Sequence, residues 1–324
     1  MKIAIDALGN DKGSTVFVQA IKKFTQDYKD VELIVFTNHE SEEAYSDIQN
    51  AKLILCQESI QMDDGLMAIK RKKDASMNKM IDHISSGLAD GGISAGSTAA
   101  LLMSSLTKLK TIENVERPAL LATIPAKNGR FFQFLDMGAN SDTTANNLLE
   151  FAKIGKVYAE VVYKIKNPRI KLLNIGAEAA KGDKLHKEAY DLLAKANDLN
   201  FCGNIEGRDM FDDDVDVIVS DGFSGNITLK AVEGTAQLAF GELKNVIMAS
   251  GISKLAGLVL KKGLSKIKDN LDYSKFGGAI LIGLQKPVVK AHGASSEEAI
   301  YNALICLYKI LINDTVEKLK RELQ

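Results

Sequence analysis

Residues 216–230 read DVIVSDGFSGNITLK, and this stretch contains the pattern that the rest of the chain repeats. The apolar run Val217–Val219 is typical of a buried strand, and Gly222 and Gly225 bracket the turn that follows it. A helix is predicted to begin at Asn226. A strand, a glycine turn and a helix in succession leave backbone N–H groups free at the positive end of the helix dipole, which favours anions. The stretch therefore predicts an α/β fold and a site for a phosphate or an oxyanion.

Short apolar runs alternate with helical patterns through most of the chain. Strands are predicted at about 2–6, 32–36, 52–56, 91–94, 119–124, 131–137, 171–175, 200–203 and 216–220, and helices at about 14–28, 76–88, 97–109, 143–165, 183–197 and 296–323. Many of these strands are apolar on both faces, as a parallel sheet between two helix layers requires. We expect a three-layer, doubly wound α/β fold with a mostly parallel sheet, built as a single compact unit or as two lobes.

The segment from about 231 to 275 departs from this alternation and is predicted to form a helical projection. Within residues 251–268 there is no acidic residue, and apolar side chains lie between the lysines Lys254, Lys261, Lys262, Lys266 and Lys268. Two interpretations stay open. The segment is a helical hairpin packed on the body or on a partner subunit, or it contacts a membrane surface or an acidic protein.

Composition and charge place the chain in a broad class. With 324 residues, 46% hydrophobic, and a formal net charge of −1, it has ordinary globular composition and no overall attraction to nucleic acid. A strand-like run follows Met1 and Lys2 at once, so no signal peptide is expected, and no apolar run reaches the ~18–20 residues of a membrane span. We expect a cytoplasmic protein, with peripheral contact to the inner face of the cell membrane left open. Three cysteines, Cys56, Cys202 and Cys306, are expected to be buried, reduced thiols.

Polar, glycine-containing corners follow six of the predicted strands. Each corner alone is most often only a turn, but ligands bind at the carboxyl ends of strands in such sheets, so the six are expected to converge along one sheet edge. The candidate phosphate-binding or substrate-binding residues are Asp6, Gly9, Asp11, Ser94, Gly96, Ser97, Thr98, Asp136, Gly138, Asn140, Gly176, Glu178, Asn204, Glu206, Asp221, Gly222, Ser224, Gly225, Lys230 and Lys290.

These corners do not match several common motifs. No Gly-Lys-Ser/Thr follows Gly96, so the corner is not a Walker A loop, and neither Gly9 nor Gly96 begins a dinucleotide fingerprint. Gly222–Gly225 is one residue short of a hydrolase nucleophile elbow. The acidic run Asp212, Asp213, Asp214 and Asp216 is interpreted as a solvated loop rather than as a metal site. No metal and no nicotinamide cofactor are predicted.

Two further features leave a surface role and a functional role open. Lys70–Lys73 form a basic cluster, which is a solvated face in most proteins but also suits an anionic ligand or an acidic partner. His292 lies in a Lys-Ala-His-Gly corner, where a polar surface histidine is an equal alternative to a catalytic one.

Several motifs run in the order found in a known family. They are IAIDALGND (3–11), SAGSTAALL (94–102), RPALLATIP (117–125), FLDMGAN (134–140), DVIVSDGFSGNITLK (216–230) and KAHGAS (290–295). From about residue 1 to 300 the chain resembles the PlsX-type phosphate acyltransferases of bacterial phospholipid synthesis. It departs from their pattern at Ser97, where Asn is common, and at Asn10, which replaces a glycine.

The resemblance implies a fold akin to the phosphotransacetylase and isopropylmalate dehydrogenase group. It also implies transfer of a fatty acyl group from acyl-[acyl carrier protein] to inorganic phosphate. The acyl phosphate would pass to a membrane glycerol-3-phosphate acyltransferase for phosphatidic acid synthesis. A homodimer, acyl carrier protein as partner, and no cofactor beyond the phosphopantetheine of the donor are implied as well.

Chemistry suggests roles for residues in this reaction. Phosphate is already largely anionic near neutral pH, since its second pKa is roughly 6–7, so a strong general base is unnecessary. Asn226 and Lys181 are expected to stabilise the oxyanion formed on the thioester. The Gly222–Gly225 and Gly96–Thr98 corners are expected to hold phosphate, and His292 or Lys290 to assist the leaving thiolate. The Lys70–Lys73 cluster or the 251–268 lysines are expected to dock the acidic carrier.

Three other functions stay open. The nearest is a phosphotransacetylase-like enzyme that uses acyl-coenzyme A. A decarboxylating dehydrogenase would share the fold, but its cluster of metal-binding aspartates cannot be placed in this sequence. The non-enzyme alternative is a catalytically silent scaffold that binds a membrane or a partner.

Overall fold

The fold is seen in a computed structural model that describes residues 1–65, 67–212, 214–271 and 277–323, apart from the side chains of residues 262 and 265–271. Strands and helices alternate as the sequence predicts. They are β1 (Lys2–Asp6), α1 (Thr15–Asp27), β2 (Glu32–Thr37), β3 (Ala51–Leu55), α2 (Ala68–Arg71), α3 (Ser76–Ser85), β4 (Gly91–Ser94), α4 (Thr98–Leu109), β5 (Ala119–Pro125), β6 (Phe131–Leu135), α5 (Ala145–Val162), β7 (Arg169–Asn174), α6 (Lys184–Lys195), β8 (Asn200–Glu206), β9 (Val217–Val219), α7 (Gly222–Met248), α8 (Gly251–Leu271), β10 (Ala279–Ile282), β11 (Val288–Lys290), α9 (Glu297–Ile312) and α10 (Thr315–Glu322).

One sheet runs through the molecule, in the order β3-β2-β1-β4-β11-β10-β5-β6-β9-β7-β8. Neighbouring strands are parallel except at its centre, where β11, β10, β5 and β6 pair antiparallel. The expectation of a mostly parallel sheet is confirmed. The short strands β10 and β11 were not predicted from the sequence.

The antiparallel centre reverses the direction of half of the sheet. The strands from β3 to β11 in the sheet order run one way, and those from β6 to β8 run the other way. The carboxyl ends of β1 and β4 therefore point opposite to those of β6 and β9. The expectation that all six corners lie along one sheet edge is wrong, because it assumed a common strand direction.

A stagger at β5 nevertheless brings the two halves together. β5 pairs with β10 through residues 119–122 and with β6 through residues 122–125. As a result the end of β6 reaches the level of Leu120, whose backbone N–H donates to Asp136 Oδ1 over 2.9 Å. The end of β11 at Lys290 pairs with Ala279, which pairs in turn with Ala122. The carboxyl ends of β6 and β11 therefore overlap on either side of the β10–β5 pair.

Buried apolar side chains form two clusters, one on each face of the sheet. Alternate strand residues separate, so that Ile3 and Ile5 belong to one cluster and Ala4 to the other. The first cluster includes Phe151 of α5 and the second includes Met80 of α3. This arrangement is the three-layer architecture that the sequence predicts.

The C-terminal region differs from its prediction as one helix. α9 ends at Ile312, and α10 begins at Thr315 after Asp314, which has a left-handed backbone with φ of +50°. Among the described residues, no single helix is long and apolar enough to cross a membrane. Helices α9 and α10, which are bent by 53° relative to each other, reach the length and apolar composition of a membrane span only when they are counted together.

A pair of long helices, α7 and α8, corresponds to the predicted helical segment. α7 begins at Gly222 rather than at Asn226, because the Asp221 side chain caps it by accepting from the Ser224 N–H over 2.8 Å. α8 packs on α7. Residues 272–276, the end of the predicted projection, lie outside the described residues, as do the side chains of Lys262, Lys266 and Lys268.

The three cysteines do not share one environment. Cys56 and Cys306 are buried thiols, as expected. Cys202 is exposed, which corrects the expectation for that residue. It lies within β8, the strand at the edge of the sheet, whose side chains are less covered than those of the central strands.

Candidate active site

An open cavity of about 640 Å³ lies where the two halves of the sheet meet. It is bounded by α4, the loop after β6, the first turns of α7, and the corner after β11. Its polar lining residues are Thr98, Ser141, Asn226, Lys230, Lys290, His292 and Ser295. Of the residues predicted as site candidates, the cavity collects members from four corners: Thr98, Gly138, Asn226, Lys230, Lys290 and His292.

A buried polar pair lies between the ends of β1 and β4. The Ser94 hydroxyl donates to Asp6 Oδ2 over 2.7 Å and accepts from the Gly96 N–H over 3.0 Å. Both side chains are fully enclosed, and burial raises the pKa of Asp6 to about 6, although the Ser94 hydrogen bond opposes that change. Asp6 and Ser94 therefore organise the corner from beneath rather than line the cavity.

Lys290 is the buried cation of the cavity. Its ammonium group donates to the Ala291 carbonyl, and its side chain is only 7% exposed. Burial lowers the pKa of Lys290 to about 8, and the nearby carboxylates of Asp11 and Asp6 limit the decrease. At neutral pH Lys290 therefore carries a positive charge within a largely desolvated wall.

His292 follows Lys290 along the same wall. Its Nδ1 accepts from the Ala294 N–H over 3.2 Å, so in the neutral ring the proton is on Nε2. Burial and the charge of Lys290 lower the pKa of His292. The neutral ring that results is a hydrogen-bond donor at Nε2.

The corner after β6 is shaped by Asp136, which faces the loop and not the cavity. Its carboxylate accepts from the backbone N–H groups of Leu120, Gly138, Ala139 and Asn140 and from the Asn140 side chain, over 2.8–3.1 Å. Asn140 also donates to the Pro118 carbonyl. With these contacts, Asp136 and Asn140 position the loop whose Gly138 and Ala139 line the cavity.

The first turns of α7 lie directly against this loop. Gly138 has φ of +121°, and a Cβ built there would come 3.2 Å from Asn226 Cγ. Gly225 is required for a second reason, because a Cβ on it would overlap the Asp136 carbonyl oxygen. The glycines of the two corners therefore permit the close approach that places the exposed side chain of Asn226 in the cavity.

Lys230 lies one turn beyond Asn226 on α7 and also lines the cavity. Its ammonium group pairs with Glu233 Oε2 over 2.7 Å. The exposed position and this partner make Lys230 a weaker local cation than Lys290.

The corners after β7 and β8 form a separate group that does not line this cavity. Asn204 Nδ2 donates to the Glu178 carbonyl over 2.9 Å, and the exposed Lys181 packs its side chain over Gly176. Glu206 pairs with Arg208. Lys181, predicted to act together with Asn226, is thus on a neighbouring rim.

His186 connects the two groups and was missed in the sequence. Its Nδ1 is 2.7 Å from Asp183 Oδ1, and its Nε2 is 3.6 Å from Asp221 Oδ2 at the start of α7. The only sequence signal is the spacing Asp183-x-x-His186, in which Asp183 caps α6. That spacing marks a helix start and does not disclose the contact with Asp221.

The remaining candidates support the site from outside. The Asp11 N–H donates to the Gly293 carbonyl over 3.1 Å, so the corner after β1 packs on the corner after β11. Gly9 lies against the Ile60 carbonyl, and the buried Ser97 precedes α4 at its N-cap position. These residues fix the walls and do not line the cavity.

The aspartates of the acidic run before β9 form ion pairs with lysine and arginine side chains of the same chain. Asp212 pairs with Lys127, Asp214 with Arg130 and Arg169, and Asp216 with Arg169. Asp213 lies outside the described residues. Across the described ranges, no group of three or more His, Cys, Asp or Glu side chains is arranged to hold a metal ion.

Residues 1–318 match the model of a protein family described as "Fatty acid synthesis protein". The chain belongs to this family. It is 46% identical over 307 residues to a phosphate acyltransferase of Staphylococcus epidermidis, an alignment that covers 94% of this chain and 93% of the relative. The resemblance to phosphate acyltransferases drawn from the sequence motifs is confirmed, and the chain is an acyltransferase.

Two solved structures show the same fold at low sequence identity. A phosphotransacetylase from Streptococcus pyogenes superposes with a TM-score of 0.61 at 21% identity, covering 98% of this chain and 94% of its own. A 4-hydroxythreonine-4-phosphate dehydrogenase from Klebsiella pneumoniae reaches 0.54 at 9% identity, covering 95% and 97%. The predicted fold class, shared by phosphotransacetylases and dehydrogenases, is confirmed.

Proposed function

We propose that this acyltransferase transfers a fatty acyl group from acyl-[acyl carrier protein] to inorganic phosphate, and that the acyl phosphate serves phosphatidic acid synthesis. The observation that carries the proposal is the cavity itself. It places the buried cation Lys290 beside the apolar side chains of α4, as a reaction between an anion and an acyl donor requires. The phosphate acyltransferases among the relatives support the same reaction.

Phosphate binds at the Lys290 end of the cavity in this proposal. The positive charge of Lys290, the Thr98 hydroxyl and the N-terminal end of α4 all favour an anion there. Charge-assisted hydrogen bonds from a buried cation are stronger than those between neutral groups. A phosphate oxygen held by these donors is oriented towards an acyl group in the rest of the cavity.

The reaction needs one nucleophilic substitution at a thioester. A phosphate oxygen attacks the carbonyl carbon, the C–O bond forms, and the electron pair of the C=O bond moves to oxygen. The tetrahedral oxyanion then collapses, the C–S bond breaks, and the thiol leaves as a thiolate. A thiol of ordinary pKa, about 8.5, leaves with little help from an acid. We assign to the Nε2–H of His292 the donation of a proton to the leaving thiolate.

Asn226 is assigned to the oxyanion. Its side chain lies in the cavity against Gly138, and its amide N–H donates without a change of charge. Lys181 stays a prediction from the sequence, since its exposed side chain lies on the rim after β7. Loss of rate with retained substrate affinity in a Lys181→Ala variant is the result that its catalytic assignment requires.

The carrier protein is proposed to dock near α2. Lys70, Arg71 and Lys73 are exposed, whereas Lys72 is held by Asp64 over 2.6 Å. The chain on either side of α2 packs on the active-site corners, with Ile60 against Gly9 and Met77 against Gly96. An acidic carrier bound to these cations would lie close to the cavity. The exposed lysines Lys254 and Lys261 of α8 are the alternative docking surface.

The helices α7 and α8 are proposed to form a homodimer contact and a membrane contact. Large apolar side chains are exposed along both helices: Leu238, Val246, Met248, Ile252, Leu255, Leu258, Val259 and Leu260. Exposed apolar area on this scale is typical of an interaction surface. Lys254 and Lys261 beside it suit an anionic lipid surface, which would bring the product to a membrane glycerol-3-phosphate acyltransferase.

Purified protein incubated with palmitoyl-[acyl carrier protein] tests the central proposal. Free thiol and acyl phosphate, trapped as the hydroxamate, are expected in equal amounts, and only when phosphate is present. Palmitoyl-coenzyme A is the matched donor. Faster turnover of the coenzyme A thioester would favour the phosphotransacetylase alternative, and no phosphate-dependent thiol release from either donor would exclude both reactions.

The oligomer and membrane proposals have separate tests. Sedimentation velocity is expected to give a dimer, and a monomer at micromolar concentration would contradict that part. Co-sedimentation with phosphatidylglycerol vesicles is expected to weaken in a Lys254→Glu, Lys261→Glu variant. Undiminished vesicle binding by that variant would contradict electrostatic contact through α8.

A further inference from the structure

Helix α4 carries apolar side chains on two faces, which is unusual for a helix at the edge of the core. Its inner face packs Ala100, Leu101 and Leu109 into the protein. Its outer face, where a surface helix ordinarily carries polar residues, presents Leu102, Met103 and Leu106 to the cavity. Met103 is exposed on this face, whereas Leu102 and Leu106 are half-buried, so that they contact the second core cluster and also line the cavity.

A second set of apolar side chains lines the same cavity and forms what we call its second wall. It consists of Leu120 of β5, Met137 and Ala139 of the loop after β6, and Leu229 of α7. These side chains pack against the core cluster from outside or belong to it, so the wall is supported from beneath. Apolar side chains of α4 and of this second set therefore line one cavity of about 640 Å³ rather than an isolated surface patch, and we refer to its apolar part as the slot.

The slot is continuous with the polar end of the site. Thr98 at the start of α4 lines the same cavity as Lys290 and His292. From Thr98 to Leu106 the helix advances eight residues, or about 12 Å at 1.5 Å per residue. The polarity of the cavity therefore changes along α4, from cationic at the N-terminal end to apolar two turns further on.

We propose that the slot between α4 and the Leu120–Met137–Leu229 wall binds the acyl chain of the donor, with the thioester at the Thr98 end and the chain running towards Leu106. The inference rests on the proposed function. It adds a binding site for the acyl chain and names the side chains that limit the length of the chain that is bound. A partner protein or a second copy of this chain seated on the α4 face is the competing occupant, and the test separates it.

Chain-length preference follows from the position of Leu106. Each methylene group that the slot removes from water changes the affinity by about fourfold. A bulkier side chain at Leu106 excludes the part of the chain that passes it, so a long donor loses several methylene contacts while a short donor loses none.

The experiment measures kcat/KM for octanoyl-, dodecanoyl- and palmitoyl-[acyl carrier protein] with wild type, Leu106→Phe and Leu106→Ala. Leu106→Phe is expected to lower the palmitoyl value by about tenfold or more, the equivalent of two lost methylene contacts, and to leave the octanoyl value within about threefold. Leu106→Ala is the second variant, in case Leu106→Phe fails to fold. Its smaller side chain is expected to reduce discrimination between donors of different length without excluding the palmitoyl donor. Leu88→Phe is the matched control, since Leu88 is an exposed leucine that does not line the cavity.

Each result decides the matter. A length profile that shifts only in the Leu106 variants supports the acyl slot. An equal loss for all three donors, or no change, overturns it, and a change of sedimentation coefficient in Leu106→Phe assigns the face to a second copy. If wild type releases no thiol with any donor, the proposed function fails. If wild type is active and the Leu106 variants have the same dependence of kcat/KM on chain length as wild type, only the proposal of the slot fails.

Discussion

The hydroxyl of Ser94 lies 2.7 Å from Asp6 Oδ2, and this hydrogen bond ties the end of β4 to the end of β1 directly beside Lys290. Lys290, the last residue of β11, lies beside the same end of β4, because the N–H of the next residue, Ala291, donates to the Ser94 carbonyl over 2.9 Å. A buried carboxyl and a buried ammonium group thus share one corner. Their ionisation links the stability of this corner to the charge that the site presents to phosphate.

Asp6 is expected to make stability fall with rising pH. Its folded-state pKa is raised from 3.8 to about 6, so its contribution is fully present below pH 3.8 and is lost as the pH rises through about 6. The corresponding loss is at most about 3 kcal/mol between pH 4 and pH 7.5. In Asp6→Asn this part of the pH dependence should disappear, as measured by urea unfolding at both pH values. Asp30→Asn, an exposed change, should retain the wild-type dependence.

Activity is expected to decline as the pH rises above about 8, because Lys290 then loses its proton. Lys290→Arg should retain its charge and flatten this decline between pH 7 and 9.5, although the guanidinium shape lowers the maximal rate. Lys290→Gln should raise the KM for phosphate by about 10-fold or more, since a hydrogen bond to a charged group contributes about 1.5–3 kcal/mol. Initial rates across a phosphate series at each pH provide the measurement. If the decline of activity above about pH 8 persists unchanged in Lys290→Arg, the decline is due to the titration of another group.

The layers of the fold were predictable because apolar runs that are buried on both faces identify strands between two helix layers. β4 occupies the residues predicted for it, Gly91–Ser94, and most helices differ by only a few residues at their ends. The strand directions were not predictable. The direction of the second half changes at the antiparallel β5–β6 pair, and the short strands β10 and β11, which come late in the chain, separate β4 from β5 in the sheet.

The site was predictable as a set of corners but not as a set of contacts. Thr98, Asn226 and Lys290 line the cavity, whereas Asp136 stands in an equally polar corner and turns its carboxylate into its own loop. A sequence does not distinguish the two, because the orientation of Asp136 depends on five N–H donors, four in the loop and one on Leu120 of β5, that come together only in the folded protein. The same limitation concealed the approach of His186 to Asp221.

Asn226→Ala is expected to lower kcat by about 10²–10³ with little change in the KM for either substrate. The reason is that a donor to the oxyanion acts in the transition state more than in the ground state. Steady-state kinetics with phosphate and acyl carrier thioester measure both parameters. Asn245→Ala, on the same helix and exposed, is the matched control and should behave as wild type. An Asn226 variant that raises KM while preserving kcat would make the residue a binding group and leave the oxyanion without its proposed donor.

Asp136→Asn is expected to damage the loop after β6 while leaving the rest of the fold in place. The carboxylate accepts five N–H groups, and an amide replaces one acceptor oxygen with an NH₂ group that faces the donors of Asn140. Leaving buried donors unpaired costs about 1–3 kcal/mol each, so the free energy of unfolding should fall by at least that amount. Because Gly138 and Asn226 are in contact across the same loop, kcat should fall as well. Urea unfolding and steady-state kinetics test the two effects, with Asp142→Asn as an exposed control. If stability falls but kcat is retained, the loop does not position Asn226, and the oxyanion donor is held by α7 alone.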